Sequence, residues 1–242
     1  MKEEVHEHPN LKQIEAIDKQ IKEHPGQQHH FAWTNLARTY QGVYLVNREH
    51  LENSILLPTN DHSLAIELVQ NVHVPIVKKY YLDELSRLIH NYAASSLSLV
   101  DHTRRLISGY KGTDFEKEYL ERRKAVSGLD EHTFIQDFRN FVIHYDMPPL
   151  NYTVTLARQG KDIFQLKLDV PTLLKWSGWS VKSKDFVKRQ GKDLLLLGVI
   201  QVHGKAVDEL NVWLLTQFTA LHGKDVDERN RLMHLRNDLL RG

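Results

Sequence analysis

The spacing of apolar positions changes several times along this chain, and each change marks an element. Leu11, Ile14, Ile17 and Ile21 recur at intervals of three and four, the period of one helix face, and Pro25-Gly26 closes that helix. A second helix is expected from about Phe31 to Leu57, with Pro58-Thr-Asn-Asp-His as a loop after it and Pro75 as a further boundary. The clearest pattern covers roughly Lys79 to Ser108. There Leu82, Leu85, Ile89, Tyr92, Ser96, Leu99, Thr103 and Leu106 alternate spacings of three and four, the seam of a helix packed lengthwise against another. Gly109 and Gly112 end it, and a charged helix follows over about 114–126. Ser127-Gly128 breaks again, and Asp130 is expected to cap a helix over about 131–145 that Pro148-Pro149 stops.

The period then switches to two. Tyr152, Val154 and Leu156 alternate with polar residues, Gln159-Gly160-Lys161-Asp162 turns the chain, and Phe164, Leu166 and Leu168 alternate again, which reads as one β-hairpin. From Pro171 onward the helical period returns: a short helix through Leu174 and Trp176, a long one over about 184–221, and a last one over about 226–240. Gly191, Gly198 and Gly204 each cost the long helix about 1 kcal/mol against alanine, so it is expected to be broken or closely packed there. The fold class is mainly α, a helical bundle with one β-hairpin insertion. An N-terminal helical region (1–70) precedes a helical core (71–150), and the hairpin and C-terminal helices (151–242) are expected to pack with that core as one domain.

Composition narrows the function classes. Of the 242 residues 41% are hydrophobic and 26% charged, a globular balance rather than a disordered or membrane one. No apolar run approaches the roughly 20 residues of a spanning helix. The first residues lack the order of a signal peptide and cysteine is absent, so a cytoplasmic protein without thiol chemistry is expected. A net charge of +1 excludes a whole-molecule footprint for nucleic acid and leaves room for a local basic patch. Phosphate-loop, dinucleotide, zinc-protease and serine-hydrolase motifs are all missing. His6 and His8, His29 and His30, or Asp225, Asp227 and Glu228 are incomplete ligand sets, so neither a metal nor a cofactor is expected.

The segment from Phe134 to Tyr145 stands apart. On a wheel of about 100° per residue, Phe134, Phe138, Phe141 and Tyr145 form one stripe, expected to be buried. Asn140 and His144 fall on the other side one turn apart, with Arg139 at its edge. An arginine offers bidentate contacts to phosphate oxygens and a histidine titrates near neutrality, so this trio could bind a phosphodiester and move protons around it. A structural role remains open: Arg139 could pair with Asp137, and His144 could sit at its helix C-terminus, where the dipole favours a cation.

Arg139-Asn140-x-x-x-His144, late in a helix of an α-helical bundle, resembles the Arg-polar-x-x-x-His signature of the HEPN superfamily, which includes metal-independent ribonucleases of toxin-antitoxin, CRISPR and abortive-infection systems. Upstream, His90-Asn91-Tyr92 and Ser98-Leu-Val-Asp101-His102-Thr-Arg104-Arg105 look like the polar-studded helix that pairs with the motif helix in some bacterial and phage proteins. The likeness covers roughly residues 79–150. It implies an endoribonuclease with Arg139, Asn140 and His144 as catalytic residues and His90, Asn91, Asp101, His102 and Arg105 as substrate-binding or supporting residues. It also implies a homodimer with both motif copies in one cleft, an RNA substrate, and an antitoxin or regulatory protein as partner. The alternative is a non-catalytic helical module that binds protein or nucleic acid and uses the same residues in packing.

Overall fold

A computed structural model describes residues 9–70 and 75–241. His6, His8 and the 70/71 boundary therefore lie outside the described residues. The architecture is mainly α, with one small antiparallel sheet. The chain divides into two compact units, one from the N-terminal residues up to Ala37 together with Trp213 onward, the other Arg38–Val212.

In the smaller unit, α1 (Leu11–Glu23) buries Ile14, Ile17 and Ile21, the face its spacing predicts. Asp18 of α1 pairs with Arg236, and Gln27 of α2 (Pro25–Ala37) accepts from Nε of Arg229 at 2.6 Å, so both helices dock on the C-terminal part of α10 (Leu196–Arg241). Gly26 makes the α2 contact possible. A Cβ there would collide with the backbone carbonyl of Asp225, which cannot swing aside.

The larger unit opens with a π-helical segment (Arg38–Leu45), followed by α3 (Val46–Asn60) and α4 (His62–Gln70). The expected loop at Pro58 is instead the last turn of α3. Proline lacks the N–H that would bond the carbonyl four residues back, and the Tyr81 hydroxyl donates to that freed Ser54 oxygen at 2.8 Å. Next come α5 (Pro75–Ser108), α6 (Asp114–Gly128) and α7 (Asp130–His144). The seam helix α5 packs against α7, as well as against α3, α4 and the π segment. Leu129, not Asp130, is the N-cap of α7; Asp130 is its first residue and pairs with Lys182 and Arg189 of α9 (Val181–Arg189).

Phe134, Phe138 and Phe141 are buried as the wheel requires, stacked on one another and against Trp179 at centroid distances of 5.1 to 6.0 Å. Tyr145 departs from the expected stripe. It sits past the end of the helix, 50% exposed, leaning on Phe141 and Trp176.

The hairpin is β1 (Leu150–Thr155) and β2 (Ile163–Asp169), in a register that opposes Tyr152 to Leu166 and Val154 to Phe164. A third strand, β3 (Asp193–Leu195), adds to β2, and one turn of helix, α8 (Val170–Leu173), follows the hairpin directly. The expected helix over 184–221 breaks at Gly191, whose φ of +77° is left-handed backbone that suits glycine. Gly204 instead admits the Arg48 side chain, which is held by Asp208 at 2.7 Å. The two C-terminal helices expected from the sequence are one, since α10 continues unbroken through residues 222–225.

Candidate functional site

Four helices of the larger unit each turn one stripe of side chains toward a common cavity of about 230 Å³. Ser96, Val100, Thr103 and Arg104 come from α5, Tyr119, Arg123 and Val126 from α6, His132, Gln136 and Arg139 from α7, and His203, Val207 and Asn211 from α10. Intervals of three and four, with Thr103 and Arg104 flanking the stripe on α5, place the members of each set along one helix face. Tyr44 of the π segment also lines the space.

Its electrostatics are one-sided. Among the described residues three arginines line the cavity and no carboxylate does. Arg104 has Asp101 at 3.6 Å, but both side chains are well exposed there and water screens the pair. Nη1 of Arg139 donates to Asn140 Oδ1 at 2.9 Å, while its buried Nε has no hydrogen-bond partner among the described residues. Asn211 is 3% exposed; its Nδ2 donates to Val207 O at 2.8 Å and its Oδ1 is left without a partner among the described residues. Buried polar atoms left open in this way are costly unless something occupies the space.

A hydrogen-bonded chain forms one wall. Gln136 Nε2 lies 2.9 Å from His132 Nε2, His132 Nδ1 is 3.2 Å from His203 Nε2, and His203 Nδ1 is 2.6 Å from the Tyr92 hydroxyl. With the Gln136 amide donating, the remaining tautomers follow: each histidine carries its proton on Nδ1, His132 donating to His203 and His203 to the Tyr92 hydroxyl. Burial pushes the His132 pKa down to about 4, with smaller contributions from Lys182 and Arg104. It pushes that of His203 down to about 3, helped by His132 and Arg48. Both rings are neutral at pH 7, so the positive charge here belongs to the guanidiniums. The wall is also a poor metal site, because the two imidazoles spend their facing nitrogens on each other and no carboxylate among the described residues joins them.

The residues singled out from the sequence are dispersed. Arg139 lines the cavity; Asn140 is exposed beside it and bonded to it. His144 is exposed one turn beyond Asn140 and does not line the cavity. His90 and Asn91 line a separate depression with Val142, Met147 and Pro148. Asp101, His102 and Arg105 are exposed on α5 and belong to neither space; their helical phase differs from that of Thr103 and Arg104, which do line the cavity. The pairing of Arg139 with Asp137 does not form, since Asp137 accepts instead from the backbone N–H and hydroxyl of Ser180 at the start of α9.

Arg104, Arg123, His132, Gln136, His203 and Asn211 were not among the residues predicted for the site. The spacing 132, 136, 139 was readable on α7, but nothing local ties His203 and Asn211 to it. Comparison with protein-family models, curated proteins and solved structures finds no match to this chain.

Proposed function

We propose that this protein is a metal-independent endoribonuclease of toxin or phage-defence type. The observation that carries the reading is the arginine cluster without a carboxylate, which favours a phosphate-bearing ligand. It continues outward along α7, from Arg139 through its bond to Asn140 to the exposed His144. Arg139 would stabilise charge building on the phosphoryl oxygens and Asn140 would hold its guanidinium in place. His144 would take the ribose 2′-hydroxyl proton as that oxygen attacks phosphorus. The bond to the 5′ oxygen breaks, that oxygen gains a proton, and the products are a 2′,3′-cyclic phosphate and a 5′-hydroxyl end. A two-fold pairing of chains through this face would bring two copies of the motif into one cleft. An antitoxin or regulatory protein would act by covering it.

The test measures cleavage and stability on the same purified variants. His144→Ala and Arg139→Ala should each lower RNA cleavage by about two orders of magnitude or more, with cleavage by the native chain persisting in EDTA. His144 is exposed, so its loss should leave the thermal midpoint nearly unchanged. Undiminished cleavage by His144→Ala, or cleavage restored only by a divalent ion, overturns the mechanism. RNA bound with salt-sensitive affinity but never cut would leave the second reading, a binding module using the same arginines.

A further inference from the structure

We propose that His29, His222 and Asp225, in the smaller unit, form a binding site for a divalent transition metal, with zinc as the ion its donors suit. His29 and Asp225 each belong to a grouping that is incomplete in sequence, His222 belongs to none, and folding joins the three. α10 presents His222 and Asp225 three residues apart on one face, and α2 brings His29 against them. One ligand atom from each residue lies within 4.8 Å of the others. The imidazoles of His29 and His222 have centroids 3.7 Å apart, and His29 Nδ1 is 3.2 Å from Asp225 Oδ2. Zinc bonds to nitrogen and oxygen of about 2.0 to 2.2 Å need donors roughly this close around a tetrahedron.

Two features indicate a built arrangement rather than a chance meeting of surface groups. Gly26 lies one turn before His29, and the absence of a side chain there lets α2 approach the carbonyl of Asp225 closely enough for the histidine to reach the acid. His29 Nδ1 is also shielded from solvent, yet 3.2 Å from the carboxylate it makes no hydrogen bond among the described residues, so a buried donor atom of the cluster is left unused. Two imidazoles and one carboxylate are three protein ligands, and a water would complete the shell. The site uses no residue of the arginine-lined cavity and does not depend on ribonuclease activity.

Titration of ZnCl₂ into the full-length, EDTA-treated protein, followed by calorimetry, is the direct test. One equivalent should bind and raise the thermal midpoint, and Co²⁺ in its place should give the visible absorption of a four-coordinate ion. His29→Ala, His222→Ala and Asp225→Asn should each weaken binding by about two orders of magnitude, whereas replacing His6 and His8 together should leave it unchanged. His222→Gln serves as a second variant, with circular dichroism confirming the fold of each metal-free chain. No zinc binding by the native protein overturns the proposal. So does an equivalent that survives loss of both His29 and His222, or one that vanishes when only His6 and His8 are replaced.

Discussion

Two pairs of histidines meet across distant parts of this sequence, and they do so under opposite conditions. His132 and His203 have ring centroids 5.3 Å apart, the second only 2% exposed, and their nitrogens are engaged in a chain from Gln136 to Tyr92. His29 and His222 stand closer, at 3.7 Å, half-buried, with a carboxylate beside them and a shielded nitrogen left over. The first pair has its protons assigned by neighbours on both sides and serves as a wall. The second has an acid beside it and a shielded nitrogen that makes no hydrogen bond among the described residues, the arrangement proposed above to hold an ion. What the residue type leaves undecided, the neighbouring donors and acceptors decide.

The strongest way to break that contrast is to remove one member of each pair. His203→Ala should lower stability by about 2 to 4 kcal/mol, because it opens a void and takes a hydrogen-bond partner from both the Tyr92 hydroxyl and His132 Nδ1. Equilibrium denaturation would show it, and a variant as stable as the parent would mean the chain does not hold the core together.

Acid sharpens the contrast next. The His132 and His203 pKa values are lowered to about 4 and about 3, so the unfolded state binds protons that the folded state refuses. Their contribution is therefore complete above the ordinary histidine value near 6.5 and is lost as pH falls from there toward 4. The loss should be on the order of 2 kcal/mol in all, after allowance for the partial exposure of His132, and it should be largely absent in a His132→Gln, His203→Gln double variant. A stability curve flat from pH 7 to 4.5 would contradict the assignment.

The smallest effect is expected at the other pair. His222→Ala, measured without metal, should change stability by no more than about 0.5 to 1 kcal/mol. A loss of the size expected for His203 would make His222 a packing residue first.

Much of the architecture was legible where a pattern is local. The alternation of Tyr152, Val154 and Phe164, Leu166, Leu168 gave the hairpin, and the burial of Phe134, Phe138 and Phe141 follows directly from their helical spacing. Patterns fail where two elements share one apolar run. Leu194 and Leu195 belong to β3 and Leu196 opens α10, so the strand was hidden inside what reads as helix. The helical turn at Pro58 is not legible in its own segment, because the group that makes it tolerable, the Tyr81 hydroxyl, lies in another helix. The site shows the same limit. That Arg139 lines the cavity follows the phase of its own helix, whereas which of the adjacent Arg104 and Arg105 turns inward is fixed by neighbours that lie outside the segment.

The one-directional chain from Gln136 through His132 and His203 to Tyr92 has a kinetic consequence. Reversing it requires the Gln136 amide to turn over and both rings to change tautomer in concert, so no single rotation can do it. The protons on the two Nδ1 atoms are thus held in place by one another and trade with water only when the wall comes apart. Their exchange lifetime is a clock for the opening of the cavity, readable in the protein itself with no ligand present.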